Sequence, residues 1–434
     1  MRVFYLILRH KTSKHAVAQV YRIAKLECFE CRFNRYQTTY MERKTARLYF
    51  IDAIRAWAIL MMLQGHFVDG LLDMSFRDGT NTTFGIWKYF RGITAPVFFT
   101  VSGFIFTYLL VRGDKVGFEN PRVKKGIKRG LELLLIGYLL RINLFGLLQG
   151  QIYESFYLID VLHCIGLSIL GIVSIYLITY KQRNFVFPLV LVTTMFFIFL
   201  FEPLYATWNF SSLPRFLANY LTRSNGSVFT ILPWFGYAAT GGFLSLLFTR
   251  FKNYKYLYPT AIVSSIAIGL GLILFSSDFF YILYKSTEIQ LFNYIILNNY
   301  LFIRLGDVFV VFAIFMLLRS FLQNRTLLKI GQSTLSIYVV HFIILYGSFT
   351  GLGLYRFFHH ELPPETVIPS ALIFMLICTY TALQYERHKE FIKLNIATTL
   401  RFCWIQTETL VLYMASTLKT FFFRLLRRLG LAKN

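Results

Sequence analysis

Apolar stretches of about 18–25 residues, each long enough to cross the hydrocarbon core of a bilayer, recur along most of this chain. Ten can be read, over 48–70, 86–111, 127–148, 158–180, 185–206, 228–248, 257–276, 300–321, 332–348 and 366–385. In lipid the backbone must satisfy its own hydrogen bonds, so such stretches form helices or a closed barrel. A barrel would show alternating segments of about ten residues, which this sequence lacks. Composition points the same way: 56% of the 434 residues are hydrophobic and only 15% charged. The expected fold is all-α, a polytopic membrane bundle of about ten transmembrane helices.

The loops between these stretches alternate in charge. One set carries Arg112, Lys115, Arg122, Lys124, Lys125, Lys128 and Arg129, then Lys181 and Arg183, then Arg250, Lys252 and Lys255, then Arg319, Arg325 and Lys329. The other set is poor in Lys and Arg and holds Asp73, Asp78, Glu154, Asp278, Glu288, Glu361 and Glu365. Positive loops stay inside, so both termini are expected in the cytoplasm and the protein in the cytoplasmic (inner) membrane, crossing it many times. The formal charge of +24 then reflects loops facing anionic lipid, and a nucleic-acid partner is not expected.

Three regions follow. Residues 1–46 are a basic N-terminal segment without the apolar core of a signal peptide. It reads as an extension ahead of a natural start at Met41, or as a basic arm lying on the membrane. Residues 47–386 form the transmembrane domain, with no internal repeat. Residues 387–434 form a cytoplasmic tail in which Phe421 to Leu429 reads as an amphipathic surface helix; an eleventh span through 402–418 is interrupted by Gln406 and Glu408. The five cysteines give no disulfide framework, and Cys28 with Cys31 is an isolated CxxC without a second pair, so no metal is expected.

The first span carries Asp52, Arg55, His66 and Asp69. A charge at mid-bilayer costs about 2.5–3.5 kcal/mol on insertion scales, so a mere anchor would not hold four ionisable groups. Arg55 and His66 are separated by three turns, on one helix face and about 16 Å apart in rise. Asp69 follows His66 by three positions, a spacing that lets a carboxylate orient an imidazole acting as general base. At the same outer level stand Asp160 with His163, Arg304 with Asp307, His341, Arg91 and Arg141. They are expected to line a cavity open to the outside. Arg304 with Asp307 also reads as a structural ion pair, and His341 as a helix–helix contact. On the inner side, Arg122, Lys124, Lys125, Lys128 and Arg129 could hold phosphates, beyond their role as a positive-inside signal.

Ile51-Asp52-Ala53-Ile54-Arg55-Ala56 followed by His66 resembles the first-helix signature of the acyltransferase type 3 proteins. Thr94-Ala95-Pro96-Val97-Phe98-Phe99-Thr100-Val101-Ser102-Gly103-Phe104 resembles a helix shared by that family and the heparan-α-glucosaminide N-acetyltransferase-like proteins. The second group is matched further by Arg122 to Leu140, by Asp160-Val161-Leu162-His163-Cys164-Ile165-Gly166-Leu167, and by Leu232-Pro233-Trp234-Phe235-Gly236-Tyr237 leading to Gly241-Gly242. Ile330-Gly331-Gln332-Ser333-Thr334-Leu335-Ser336-Ile337-Tyr338 with His341 resembles a late helix of both groups.

The resemblance covers roughly 47–345. It implies a transmembrane acyltransferase that takes an acyl group from cytoplasmic acetyl-CoA or another acyl-CoA and delivers it across the bilayer, commonly to a carbohydrate. The loop 70–85 contains no His, so the chemistry is expected to rest on His66 with Asp69 and Arg55, by direct general-base transfer rather than through an acyl-His. Ser102 is a candidate oxyanion donor, and Pro96 is expected to break its helix. Asp160, His163, Arg304, Asp307, His341 and Arg91 are expected to meet a glycan-like acceptor. A homodimer is compatible with this reading. The rival reading is a transporter or flippase whose buried Asp, Arg and His relay protons. A third is a non-catalytic partner in envelope assembly.

Overall fold

Asparagine and aspartate punctuate the chain where helices begin. Asn81, Asn120, Asp160 and Asn324 each accept a hydrogen bond from a backbone N–H of the helix that follows. Pro121 adds a pre-set first turn after Asn120. The computed structural model describes residues 48–428; the N-terminal segment, with Met41, Cys28 and Cys31, lies outside the described residues. From Phe50 onward the chain forms one unit. Its main helices are α1 Tyr49–Leu71, α2 Thr82–Leu110, α3 Pro121–Leu140, α4 Val161–Thr179, α5 Val186–Leu200 and α6 Ile231–Arg250. They continue with α7 Leu257–Thr287, α8 Gln290–Leu297, α9 Tyr300–Leu317, α10 Arg325–Gln332, α11 Thr334–Tyr346 and α12 Pro364–Arg428. Among the described residues there is no strand, only two isolated bridges, Leu72 to Leu362 and Asn143 to Phe349.

Each of the ten stretches read from sequence falls on a helix. Among the described residues, six helical stretches are long and apolar enough to cross a membrane by themselves, and the α10–α11 pair, bent by 69°, makes a seventh if taken as one span. That is fewer than ten. The helix α5 is apolar but has only 15 residues, while α1 and α3 carry the ionisable groups that single them out. The fold is thus an all-α membrane bundle. No backbone break marks residue 386: α12 is one helix of 65 residues, about 97 Å at 1.5 Å per residue.

Despite its charges, α1 runs through the core. Phe50 packs on Phe104 of α2, Phe248 of α6 and Tyr258 of α7. Trp57 meets Phe315 of α9, and Phe67 meets Phe374 of α12. Glycines set the closest approaches. A methyl group on Gly103 would overlap the Ala238 carbonyl, and one on Gly241 the Thr100 carbonyl, so α2 and α6 touch backbone to backbone. Gly331, just before the α10–α11 bend, lies likewise against the backbone of Asp52. That contact seats the start of α11 beside the N-terminal half of α1.

Pro96 does not break α2, which is continuous from Thr82 to Leu110. Proline removes the N–H that would bond the carbonyl four residues earlier, that of Gly92. The Tyr300 hydroxyl reaches this carbonyl instead, at 3.4 Å, so the freed acceptor is covered rather than opened to a cavity.

Candidate functional site

Two stripes of side chains face each other along α1 and α11. On α1 the stripe is Arg55 and His66. On α11 it is Thr334, Tyr338 and His341, at steps of four and three on one helix face. At the inner end Arg55 donates to the Thr334 hydroxyl at 3.0 Å and pairs with Asp52 at 3.7 Å. At the outer end the rings of His66 and His341 meet edge to face, 5.4 Å between centroids. His66 Nδ1 is hydrogen-bonded to the Tyr346 hydroxyl at 2.8 Å. That leaves Nε2 to meet a substrate, and His66 is only partly buried. His341 is fully buried, and its Nδ1 faces the Tyr338 carbonyl. A carbonyl only accepts, so Nδ1 carries the proton and Nε2 is an acceptor. That Nε2 has no partner among the described residues.

Asp69 does not orient His66. Its two carboxylate oxygens are taken by Arg77 at 2.8 Å and Arg91 at 2.6 Å, and Arg77 also bonds the Asp69 carbonyl. Arg77 further reaches His360 at 3.0 Å. The carboxylate three residues past the imidazole is therefore a clamp holding the 70–81 loop, the start of α2 and the 347–363 loop together. Gly65 makes room for Arg91, whose side chain lies 3.3 Å from where a methyl would stand. An aromatic row leads outward from Tyr346 through Tyr355 to His359. Loss of water contact, then the neighbouring His360 and Arg77, hold the pKa of His359 below its usual 6.5.

The other residues expected at the acceptor side fall into separate groups of contacts. Asp160 receives Arg141 at 3.3 Å and lies within electrostatic reach of His66. His163, by contrast, completes the cap of α4: its Nδ1 accepts the Asp160 N–H at 3.1 Å, and its ring sits over Gly137 against Tyr138. Arg304 and Asp307 form a separate buried pair at 2.8 Å. Tyr89 donates to the second Asp307 oxygen at 2.8 Å and lies under the guanidinium, 4.3 Å away. Every charge there has a partner within the protein, so the pair reads as structural.

A cavity of about 260 Å³ lies at the Arg55 end of this constellation. Arg55 and Arg129 supply its charges, Phe98, Leu133 and Ile169 are among its apolar walls, and Tyr338 lies in its lining. The far side of the Tyr338 ring packs on His341 at 4.7 Å. Ser102 also lines the cavity, but its hydroxyl already donates to the Phe98 carbonyl at 2.7 Å, which weighs against an oxyanion role.

The basic residues of α3 divide by helix face. Arg122, Lys125 and Arg129 stand within about one-sixth of a turn on the side of Leu133, which lines the cavity. Lys124 and Lys128 lie on the opposite side, with Ile127, Leu131 and Leu135 along an exposed groove. All five are exposed, and Lys128 and Arg129 both approach Glu132.

Tyr346, Tyr338, Thr334 and Arg77 were not singled out by sequence. The first three share α11 with His341, and the stripe at 334, 338 and 341 carries a readable period. No local pattern marks Tyr346 or Arg77.

The family model described as heparan-alpha-glucosaminide N-acetyltransferase, catalytic, matches residues 47–286. The match holds Arg55, His66, Asp69, Asp160 and all the basic residues of α3; Thr334, Tyr338, His341 and Tyr346 lie beyond it. Among curated proteins no sequence matches the chain.

Proposed function

The chain belongs to the heparan-α-glucosaminide N-acetyltransferase catalytic family, and from that premise we propose that it transfers an acetyl group from cytoplasmic acetyl-CoA to an extracytoplasmic acceptor with His66 as general base. Membership implies a membrane acetyltransferase; the donor, the base and the side of delivery are the finer reading. The observation that carries it is the alignment of the cavity, Tyr338, His341 and His66 along one line of contacts on α1 and α11.

In this reading the inner cavity takes the pantetheine arm of the donor. Arg122, Lys125 and Arg129 meet the phosphates at its mouth, where guanidinium and ammonium groups suit phosphate oxygens. Lys124 and Lys128 face away and serve the positive-inside bias. Arg55, held by Thr334 and Asp52, keeps a fixed charge within the cavity wall. The thioester passes the Tyr338 ring, which must turn aside, and comes to His66. His66 Nε2 takes the proton of the acceptor hydroxyl or amine as that group attacks the thioester carbonyl. The C–S bond breaks, and the CoA sulfur leaves with the proton. His341 Nε2, an acceptor without a partner among the described residues, suits a hydrogen bond from a neighbouring hydroxyl of the acceptor, or from the second N–H of an attacking amine, with Asp160 nearby. The acceptor is read as a carbohydrate. The protein is placed in the inner membrane with ten crossings and both termini in the cytoplasm, on the loop charges.

The test is acetyl transfer in proteoliposomes loaded with acetyl-CoA. His66→Ala is expected to lose transfer by about 10²–10⁴-fold, the range of a general base. Full activity in that variant would remove His66 from the mechanism. Acceptor moving across the bilayer with no release of CoA would favour a transporter instead.

A further inference from the structure

The helix α7 is weakly covered: of its 31 residues only Ser265, Gly269, Ser276 and Phe280 are buried. Its tightest contact lies mid-helix, where Gly269 and Gly306 bring α7 and α9 to backbone contact. Toward its N-terminus a crevice of about 320 Å³ opens between α6 and α7. Leu244, Leu247, Phe248, Ala261, Ile268 and Phe309 are among the residues that wall it. The lining is nearly all apolar, so the crevice suits a hydrocarbon chain rather than ordered water.

The loop above the crevice is the opposite in character. It carries Arg250, Lys252 and Lys255, all exposed, and none of the three is in an ion pair among the described residues. Arg250 lies over the Phe251 ring and Lys255 over the Tyr256 ring. Phe251 and Tyr254, from the same loop, also line the crevice. Aromatic rings with cations beside them are the side chains that settle at headgroup depth. Three cations without an ion-pair partner among the described residues, on the segment whose Phe251 and Tyr254 line an apolar slot, match an amphiphile with an anionic head.

We propose that this crevice holds one acyl chain of an anionic membrane phospholipid, with its phosphate at Arg250, Lys252 and Lys255. The site is separate from the acetyl-transfer constellation and stands whether or not that reading holds. Bulk lipid would fill an open groove without choosing a headgroup. Here the walls select one chain and the loop selects its charge.

Native mass spectrometry from nanodiscs of equimolar phosphatidylcholine and phosphatidylglycerol tests this. One phosphatidylglycerol is expected to stay on the wild-type chain in preference to phosphatidylcholine. The exposed-loop variant R250Q/K252Q/K255Q is expected to lose that preference by about tenfold or more. Ala261→Trp, which fills the slot, is expected to lose the retained lipid while the loop charges remain. Equal retention of the two lipids by wild type, an unstoichiometric coat of lipids only, or a preference unchanged in the loop variant would overturn the proposal. The loop variant changes only exposed side chains, so the test does not hinge on how Ala261→Trp folds.

Discussion

His66 and Tyr346 meet at 2.8 Å through imidazole Nδ1 and phenol oxygen, although 280 positions separate them in the chain. The contact fixes which ring nitrogen of His66 faces substrate. Tyr346→Phe keeps the ring packing and removes the hydrogen bond, whose net worth is about 0.5–1.5 kcal/mol. The turnover number for CoA release is expected to fall about three- to tenfold at unchanged donor KM. No change in turnover would show that His66 is oriented without Tyr346.

Asp69 gives a sharper contrast, because its sequence position and its contacts point to different roles. The carboxylate is held by Arg77 and Arg91. Asp69→Asn leaves two guanidiniums without their anion in a site about one-third exposed, so solvent screens part of the loss. The expected cost is about 1–2 kcal/mol, read as a lower melting temperature in detergent. Turnover should stay within about threefold of wild type. A drop of about a hundredfold or more with normal melting would restore Asp69 as the partner of His66.

The buried pair of Arg304 and Asp307 tests the structural reading of a residue first considered for acceptor binding. Asp307→Ala strands the Arg304 charge over Tyr89 and costs about 3–5 kcal/mol, the range for breaking one partner of a buried ion pair. Replacing both, as R304M/D307L, is expected to recover most of the loss. Thermal unfolding of the three proteins checks it, and a single variant melting like wild type would refute the structural role.

Helix class and the position of each apolar segment were legible because a bilayer forces long apolar runs, and each of the ten runs lies on a helix. The one-face relation of Arg55 and His66 was also legible, since helical period alone sets it. The partners were not. Sequence proximity offered Asp69 to His66, but helix α2 and the loop before it bring two arginines to that carboxylate. His163 looked like a site residue and is a capping group, because Asp160 precedes α4 directly and the imidazole folds back on its N–H. Tyr346 was invisible since a tyrosine near the end of an apolar helix carries no signal until the opposing helix is placed.

The loop over residues 347–363 should respond to acid. His359 is held below its ordinary 6.5 by loss of water contact, then by His360 and Arg77. The unfolded loop therefore binds the proton more readily than the folded one. Its contribution to order is complete above pH 6.5 and is lost as pH falls below that value toward the folded-state pKa. The protection of amides over Tyr355 to Leu362, taken relative to their intrinsic exchange at each pH, is expected to fall between pH 7 and pH 5, and His359→Gln to remove most of the change. A protection factor that does not change with pH in wild type would contradict this.

Gly241 carries the tightest helix contact near the site, and its replacement separates packing from chemistry. A methyl there overlaps the Thr100 carbonyl, which is itself part of the rigid α2 backbone and cannot give way by rotating a side chain. Gly241→Ala must push α6 from α2, loosening the packing of Phe104 on Phe248 and with it the seat of Phe50 of α1. Overpacking of this kind costs about 1–3 kcal/mol or more. The variant is expected to melt lower, and its CoA release to fall alongside because α1 carries both Arg55 and His66. Gly271→Ala is the matched control, since a methyl on Gly271 meets nothing within 4 Å. If both variants melt alike, the α2–α6 contact is not what fixes α1 in place.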